Sequence, residues 1–246
     1  KVIGKAIKER RDESFIATKV SSANLSFDRL LKSAKRSLNR LEIETIDLYQ
    51  IHFPNPTIPI KDTMKAMEKL VNEGYIQHIG VSNFSIDELK EAQTAMSKGE
   101  ISSIQVPYNL LQRNIEINLL PYCKKERITV IAYSPLAAGK IISNQNLSDI
   151  AANYIKSTSQ VALNWVISKK DVVVIPRSSK LEHVKMNAGS CGWRLSSNDV
   201  KTIDLSFNEY VQTIQHPDKS IKNSVISFIH KYLPRPMLIW LRKILQ

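Results

Sequence analysis

Short runs of β-branched and aromatic residues alternate with stretches of helical periodicity from the N-terminus to about residue 190, and few folds accept that order. Extended runs fall at Phe15–Val20, Ile46–Phe53, Ile76–Val81, Ile104–Pro107, Thr129–Tyr133 and Val172–Pro176. Between them, Leu30, Ala34, Leu38 and Leu41 recur at helical spacing within Phe27–Leu41. Ile60, Met64, Met67 and Val71 do the same within Ile60–Glu73, where Gly74 supplies the C-terminal stop. Ser85-Ile-Asp-Glu88 has the form of a capping box opening another helix. Val161, Ala162, Trp165 and Val166 give Gln160–Ser168 a buried stripe. Strand and helix in strict succession need crossover connections, which means a parallel sheet of right-handed βα units.

Two parallel architectures compete. A dinucleotide-binding doubly wound sheet needs a Gly-rich turn of the GxGxxG kind after its first strand, and this chain has no such turn and only seven glycines. A (β/α) TIM barrel fits the regular alternation better and places function at the carboxyl ends of the strands. The 43% hydrophobic content is ample for a core and excludes wholesale disorder. No window of about 18 uninterrupted apolar residues reads as a membrane span. The charged start, KVIGKAIKERRDE, is unlike a secretory signal. Cys123 and Cys191 are far apart with no CxxC, which points to a reducing cytoplasm and to neither a disulfide frame nor a metal site. The net charge of +12 allows nucleic acid, a membrane surface or a phosphate-bearing ligand as partner. Most of the basic residues are mixed with Glu and Asp along helices, as on an ordinary solvated surface.

The strand ends carry the chemical information. In DLYQIHFPNP, His52 closes an apolar run just ahead of Pro54 and Pro56, which end any ladder because neither can donate a backbone hydrogen bond. Taken alone, a histidine there is more often a packed core residue. The other strands end in the same manner, on Lys19, Ser82-Asn83, Gln105, Tyr133-Ser134 and Arg177-Ser178. Six polar ends on six apolar strands converge on one pocket if the sheet is a barrel.

The motifs FIATKV, IDLYQIHFPNP, EGYIQHIGVSNFS, IQVPYN, VIAYSPL and VVVIPRSS, in that order, resemble the aldo-keto reductase family over residues 1 to about 205. The resemblance implies a (β/α)8 barrel of which six βα units are visible here, and reduction of aldehydes and ketones by a nicotinamide cofactor. It implies NADPH, with NADH also open, no metal, and a small carbonyl compound as partner with no nucleic acid. In the family a Tyr hydroxyl supplies the proton, a Lys lowers that Tyr's pKa, an Asp pairs with the Lys, and a His orients the carbonyl. Lys19 and His52 match the Lys and the His. Ser82, Asn83 and Gln105 match the contacts to the nicotinamide carboxamide, and Tyr133 the ring that stacks on the nicotinamide. Ser134 and Leu136 would lie along the pyrophosphate. Arg177, Ser178 and Ser179 resemble the segment holding the adenosine ribose phosphate, where Ser179-Lys-Leu-Glu182 reads as a capping box. His183 takes the place of a common Arg, and Asn187 that of the adenine contact.

Three departures qualify the resemblance. The family's first two strands, with its catalytic Asp and Tyr, precede the segment matching KVIGKAIKER, so a truncated sequence is expected. The alternative is a catalytically impaired nucleotide-binding or regulatory protein of the same fold. Met186 replaces an acidic neighbour of the adenosine phosphate, while Arg177 and Lys180 can still pair with a phosphate. Residues 211–246 are expected to form a helical extension beyond a barrel of residues 1–210. Ile221, Val225, Phe228, Ile229 and Tyr232 make one stripe there, and Met237–Leu245 a second apolar stretch with flanking basic residues. Packing over the barrel is favoured for this tail, with membrane association as the alternative. Oligomeric state is left open.

Overall fold

The computed structural model describes residues 1–215, with side chains through residue 207. In chain order the elements are α1 (Val2–Ile7), β1 (Ala17–Val20), α2 (Phe27–Leu41), β2 (Ile46–Ile51), α3 (Ile60–Asn72), β3 (Ile76–Ser82), α4 (Ile86–Ala95), β4 (Ile101–Pro107), α5 (Leu119–Lys125), β5 (Thr129–Tyr133), α6 (Gln145–Asn153), α7 (Thr158–Ile167), β6 (Val172–Val174), α8 (Leu181–Ala188) and α9 (Ser197–Gln215). Residues 216–246, which include both apolar stretches of the tail, lie outside the described residues.

All five strand pairs are parallel, and the sheet runs β1-β2-β3-β4-β5-β6 in sequence order. A doubly wound sheet reverses its strand order at a switch point. Here the order never reverses, so every crossover turns the same way, as around a barrel wall. The expected fold class holds.

Side chains alternate between the faces of a strand, and the two faces of this sheet differ in chemistry. Val20, Tyr49, Ile51, Ile79, Val81, Ile104, Val106, Val130, Ala132 and Val172 share one core with the helices. Burying one such aliphatic side chain contributes about 1.5–3 kcal/mol. The opposite face is polar. Lys19, Gln50, Gly80 and Ser103 stand side by side in register, and one layer nearer the carboxyl ends stand Ser82 and Gln105. Leu48 and Ile131 are buried on that face, yet they belong to no part of the helix-packed core.

Several boundaries differ from the sequence reading. β2 ends at Ile51, and Phe53, expected inside the strand, is 47% exposed and leans on the His52 ring at 4.8 Å. β1 starts at Ala17 and leaves Phe15 outside, while β4 starts earlier, at Ile101, and β6 stops at Val174. The Ser85–Glu88 capping box forms, with Glu88 N–H donating to Ser85 Oγ and Ser85 N–H to Glu88 Oε2. The box expected at Ser179–Glu182 does not form. Lys180 is the N-cap of α8, without a side-chain cap, and its N–H is taken instead by Ser178 Oγ at 3.0 Å. Because α8 starts at Leu181, Ser179 stands one residue too early to be its N-cap, within a serine turn made by Ser178.

Candidate active site

At the carboxyl ends of β1 to β5 the side chains form a connected cluster. His52 N–H donates to Val20 O at 3.0 Å, which seats the histidine beside the end of β1. Asn83 Nδ2 donates to His52 O and to Ser82 Oγ, each at 3.0 Å. Tyr133 Oη donates to Asn83 Oδ1 at 3.0 Å, and Asn83 N–H donates to Gln105 O at 2.9 Å. Asn83 therefore ties β2, β3, β4 and β5 together. It does so in the left-handed region, at φ 61°, a conformation Asn adopts more readily than most residues.

Charge at this mouth comes from Lys19 and His52. Partial burial lowers the Lys19 pKa. The His52 imidazole is held below its ordinary value by desolvation and then by the Lys19 ammonium, so the two groups feel each other across the β1–β2 boundary. His52 is therefore neutral at pH 7, leaving one ring N–H to donate and one ring nitrogen to accept. Burial raises the Tyr133 pKa and keeps its hydroxyl protonated.

Next in the chain to Tyr133, Ser134 begins the lining of a groove of about 860 Å³, within the size range of cofactor sites, and none of Lys19, His52, Ser82, Asn83, Gln105 and Tyr133 is in that lining. The loop after β5 brings Ser134 and Leu136, the loop after β6 brings Arg177 and Ser178, and α8 brings His183 and Asn187. Six of the expected cofactor residues thus line one cavity. Ser179, expected with them, is exposed and does not line it. Ser134 and Ala138 in the lining, and Ala137 just before Ala138, have φ between 49° and 54°. Such backbone strain in non-glycine residues clusters at ligand-binding sites. Asn109 Nδ2 donates to Ser134 O at 3.0 Å and fixes the junction between cluster and groove.

Sequence reasoning missed the corner between α6 and α7. Lys156, Ser157, Thr158 and Ser159 line the groove, and Ser157 caps α7 in a complete capping box with Gln160. The Ser-Thr-Ser-Gln pattern was the available signal for this helix start. Gln160 Nε2 then donates to Met186 O at 3.0 Å and ties this turn to α8. Among the described residues the lining holds Lys156 and Arg177 and no carboxylate, so its electrostatics favour an anion. Among the described residues no cluster of His, Cys, Asp and Glu could hold a metal ion.

Outside the groove lining, an ionic network around the buried Arg113 holds α9. Arg113 pairs with Glu116 and with Asp204, each at 2.9 Å, and Trp165 Nε1 donates to Asp204 Oδ1 at 3.1 Å. Tyr108 Oη donates to Glu116 Oε1 at 2.6 Å, and burial followed by that carboxylate pushes its pKa far up. The network ties α9 to α7 through Trp165, and none of its residues lines the groove.

Known proteins agree with this geometry. The profile described as Aldo/keto reductase family matches residues 1–206. Methylglyoxal reductase YeaE of Escherichia coli (strain K12) is 34% identical over 212 residues, covering 84% of this chain and 74% of its own length. Glyoxal reductase of Bacillus subtilis (strain 168) is 35% identical over 221 residues, covering 88% of this chain and 78% of its own. Among solved structures, the thermostable aldo-keto reductase Tm1743 in complex with the inhibitor epalrestat superposes with a TM-score of 0.80 at 38% identity, over 84% of this chain and 76% of its own. An aldo/keto reductase from Klebsiella pneumoniae in complex with NADP and acetate gives a TM-score of 0.80 at 32% identity, over 84% of this chain and 74% of its own. With six parallel strands in barrel order and polar groups gathered at their carboxyl ends, this chain belongs to the aldo/keto reductase family.

Proposed function

We propose that the strand-end cluster and the groove form one site for NADPH, across which aldehydes or ketones are reduced to alcohols. The observation that carries the reading is a groove that, among the described residues, has Lys156 and Arg177 and no carboxylate in its lining, and that reaches the strand ends at Ser134, next to Tyr133 and held by Asn109. Its donors suit the cofactor. Arg177, His183 and Asn187 would take the adenosine phosphate end, Ser134 and Leu136 the pyrophosphate, and Ser82, Asn83 and Gln105 the carboxamide. Tyr133 would lie against the nicotinamide ring.

When bound, the nicotinamide supplies a hydride to the carbonyl carbon. The chain's own residues prepare the oxygen for the charge that then develops. Neutral His52 donates its ring N–H to the carbonyl oxygen and orients the substrate, and the Lys19 ammonium stabilises the growing negative charge. The Tyr that delivers the proton in the family pattern, and the Asp beside it, match no residue of 1–246. Polarisation and orientation are what these residues contribute, and the proton that turns the alkoxide into the alcohol comes from water or from a donor other than these residues. The names of the relatives, methylglyoxal reductase and glyoxal reductase, support small reactive carbonyl compounds as the substrate class. Two free cysteines, Cys123 buried and Cys191 exposed, suit a reducing cytoplasm.

Methylglyoxal-dependent oxidation of NADPH, followed at the absorbance of the reduced cofactor, tests the reading. His52→Ala and Lys19→Met are each expected to lower kcat/KM by about a hundredfold, the size general acid–base and electrostatic contributions reach. Unchanged rates in both variants would remove these residues from the site.

A further inference from the structure

We infer that Gln50 is a positioning residue for the cofactor's carboxamide, acting through Gln105. The inference rests on the nicotinamide reading above and specifies how one part of that site is oriented. Gln50 lies in β2 between Tyr49 and Ile51, both in the helix-packed core, and its own side chain is on the opposite, polar face. It is fully buried there. Gln105 Nε2 donates to Gln50 Oε1 at 3.3 Å, across the intervening strand β3.

That bond decides which way the Gln105 amide presents itself. A primary amide has one acceptor end and one donor end. With one Nε2 hydrogen committed to Gln50, Gln105 keeps a single N–H and its Oε1, and Oε1 is the only acceptor it can offer a ligand. A carboxamide NH2 is the complementary donor. The site would then accept the carboxamide in one orientation and fix which face of the ring meets the substrate.

The layer beneath is built around this residue. A Cβ on Gly80 would come within 2.8 Å of Gln50 Cγ and 2.6 Å of Ser103 Oγ, so only glycine leaves Gln50 its place. Among the described residues Gln50 Nε2 and Ser103 Oγ are buried with no hydrogen-bond partner, and Lys19 is Gln50's register neighbour on β1. A leucine would avoid the unpartnered donor. Packing alone therefore gives no account of a glutamine here, whereas its hydrogen bond to Gln105 does.

The test compares binding of NADP⁺ with binding of 3-acetylpyridine adenine dinucleotide phosphate, in which a methyl replaces the carboxamide NH2, by quenching of protein fluorescence. Wild type is expected to favour NADP⁺ by about tenfold, the scale of one well-aligned hydrogen bond. Gln50→Leu should bring that ratio close to one, and Gln50→Glu, whose carboxylate still accepts from Gln105 Nε2, should keep it. In Gln105→Ala the ratio should be lost, with no further change when Gln50→Leu is added. A merely structural role would move the thermal midpoint and both affinities together and leave the ratio intact. A Gln50→Leu protein that keeps the wild-type ratio, or a wild type that binds both ligands equally, overturns the proposal while leaving the cofactor site standing. Failure of wild type to bind either ligand overturns the cofactor reading itself.

Discussion

The two faces of the same sheet do different work, and β2 shows it within six residues. Tyr49 and Ile51 enter the helix-packed core, where any apolar side chain of the right shape would serve. Gln50 and His52 alternate with them and belong to the polar face and its mouth. One strand thus carries stability on one side and recognition on the other, set only by the two-residue period of the pleat. Substitutions on the helix face are expected to change folding and leave ligand binding per folded molecule unchanged. Substitutions at the mouth and groove should do the reverse.

The sharpest break of this contrast is Ile51→Ala. Ile51 is completely buried, and its truncation is expected to cost about 2–5 kcal/mol in denaturant unfolding, with NADPH affinity unaltered under folding conditions. Next is Arg177→Ala, at an exposed position on the groove wall. It should weaken NADPH binding by about ten- to a hundredfold, as loss of a charge-assisted contact does, with an unchanged melting temperature. Asn83→Ala tests the position where the two roles meet. Losing its bonds to His52, Ser82 and Tyr133 should cost about 1–2 kcal/mol and also weaken binding. Asn83→Gly relieves the left-handed backbone but not the lost bonds, so it separates the two contributions.

The smallest effect concerns protons. His52 titrates below its ordinary value because of desolvation and then Lys19. Its proton is therefore bound less readily in the folded state than in the unfolded chain, and stability should decline as pH falls below about 6.5. In Lys19→Met the His52 midpoint, read from imidazole NMR shifts, should rise. A midpoint that stays put would separate the two groups.

Much of this was legible in the sequence, and the exceptions have physical causes. Ser82, Asn83, Gln105 and Tyr133 were readable because each follows an apolar run, and the structure joins them through Asn83. Gln50 was hidden inside such a run, where its polarity looked incidental until register set it beside Lys19 and Gly80. Lys156 and Ser157 escaped notice because a corner between two helices has no hydrophobic period to mark it. The Ser179–Glu182 box misled because its pattern fits, but the helix starts one residue later, with Lys180 as its N-cap. Phe53 was misplaced because an aromatic next to a strand looks like part of it, and only the chain's turn at Ile51 exposes the ring.

The most direct test of a single dinucleotide site spanning strand ends and groove is a titration of the protein with NADPH, followed by quenching of tyrosine and tryptophan emission. Saturation is expected at one cofactor per chain, with weaker binding both in Gln105→Ala at the mouth and in Arg177→Ala in the groove. Absence of saturation at millimolar cofactor, or binding indifferent to both substitutions, would contradict a single spanning site.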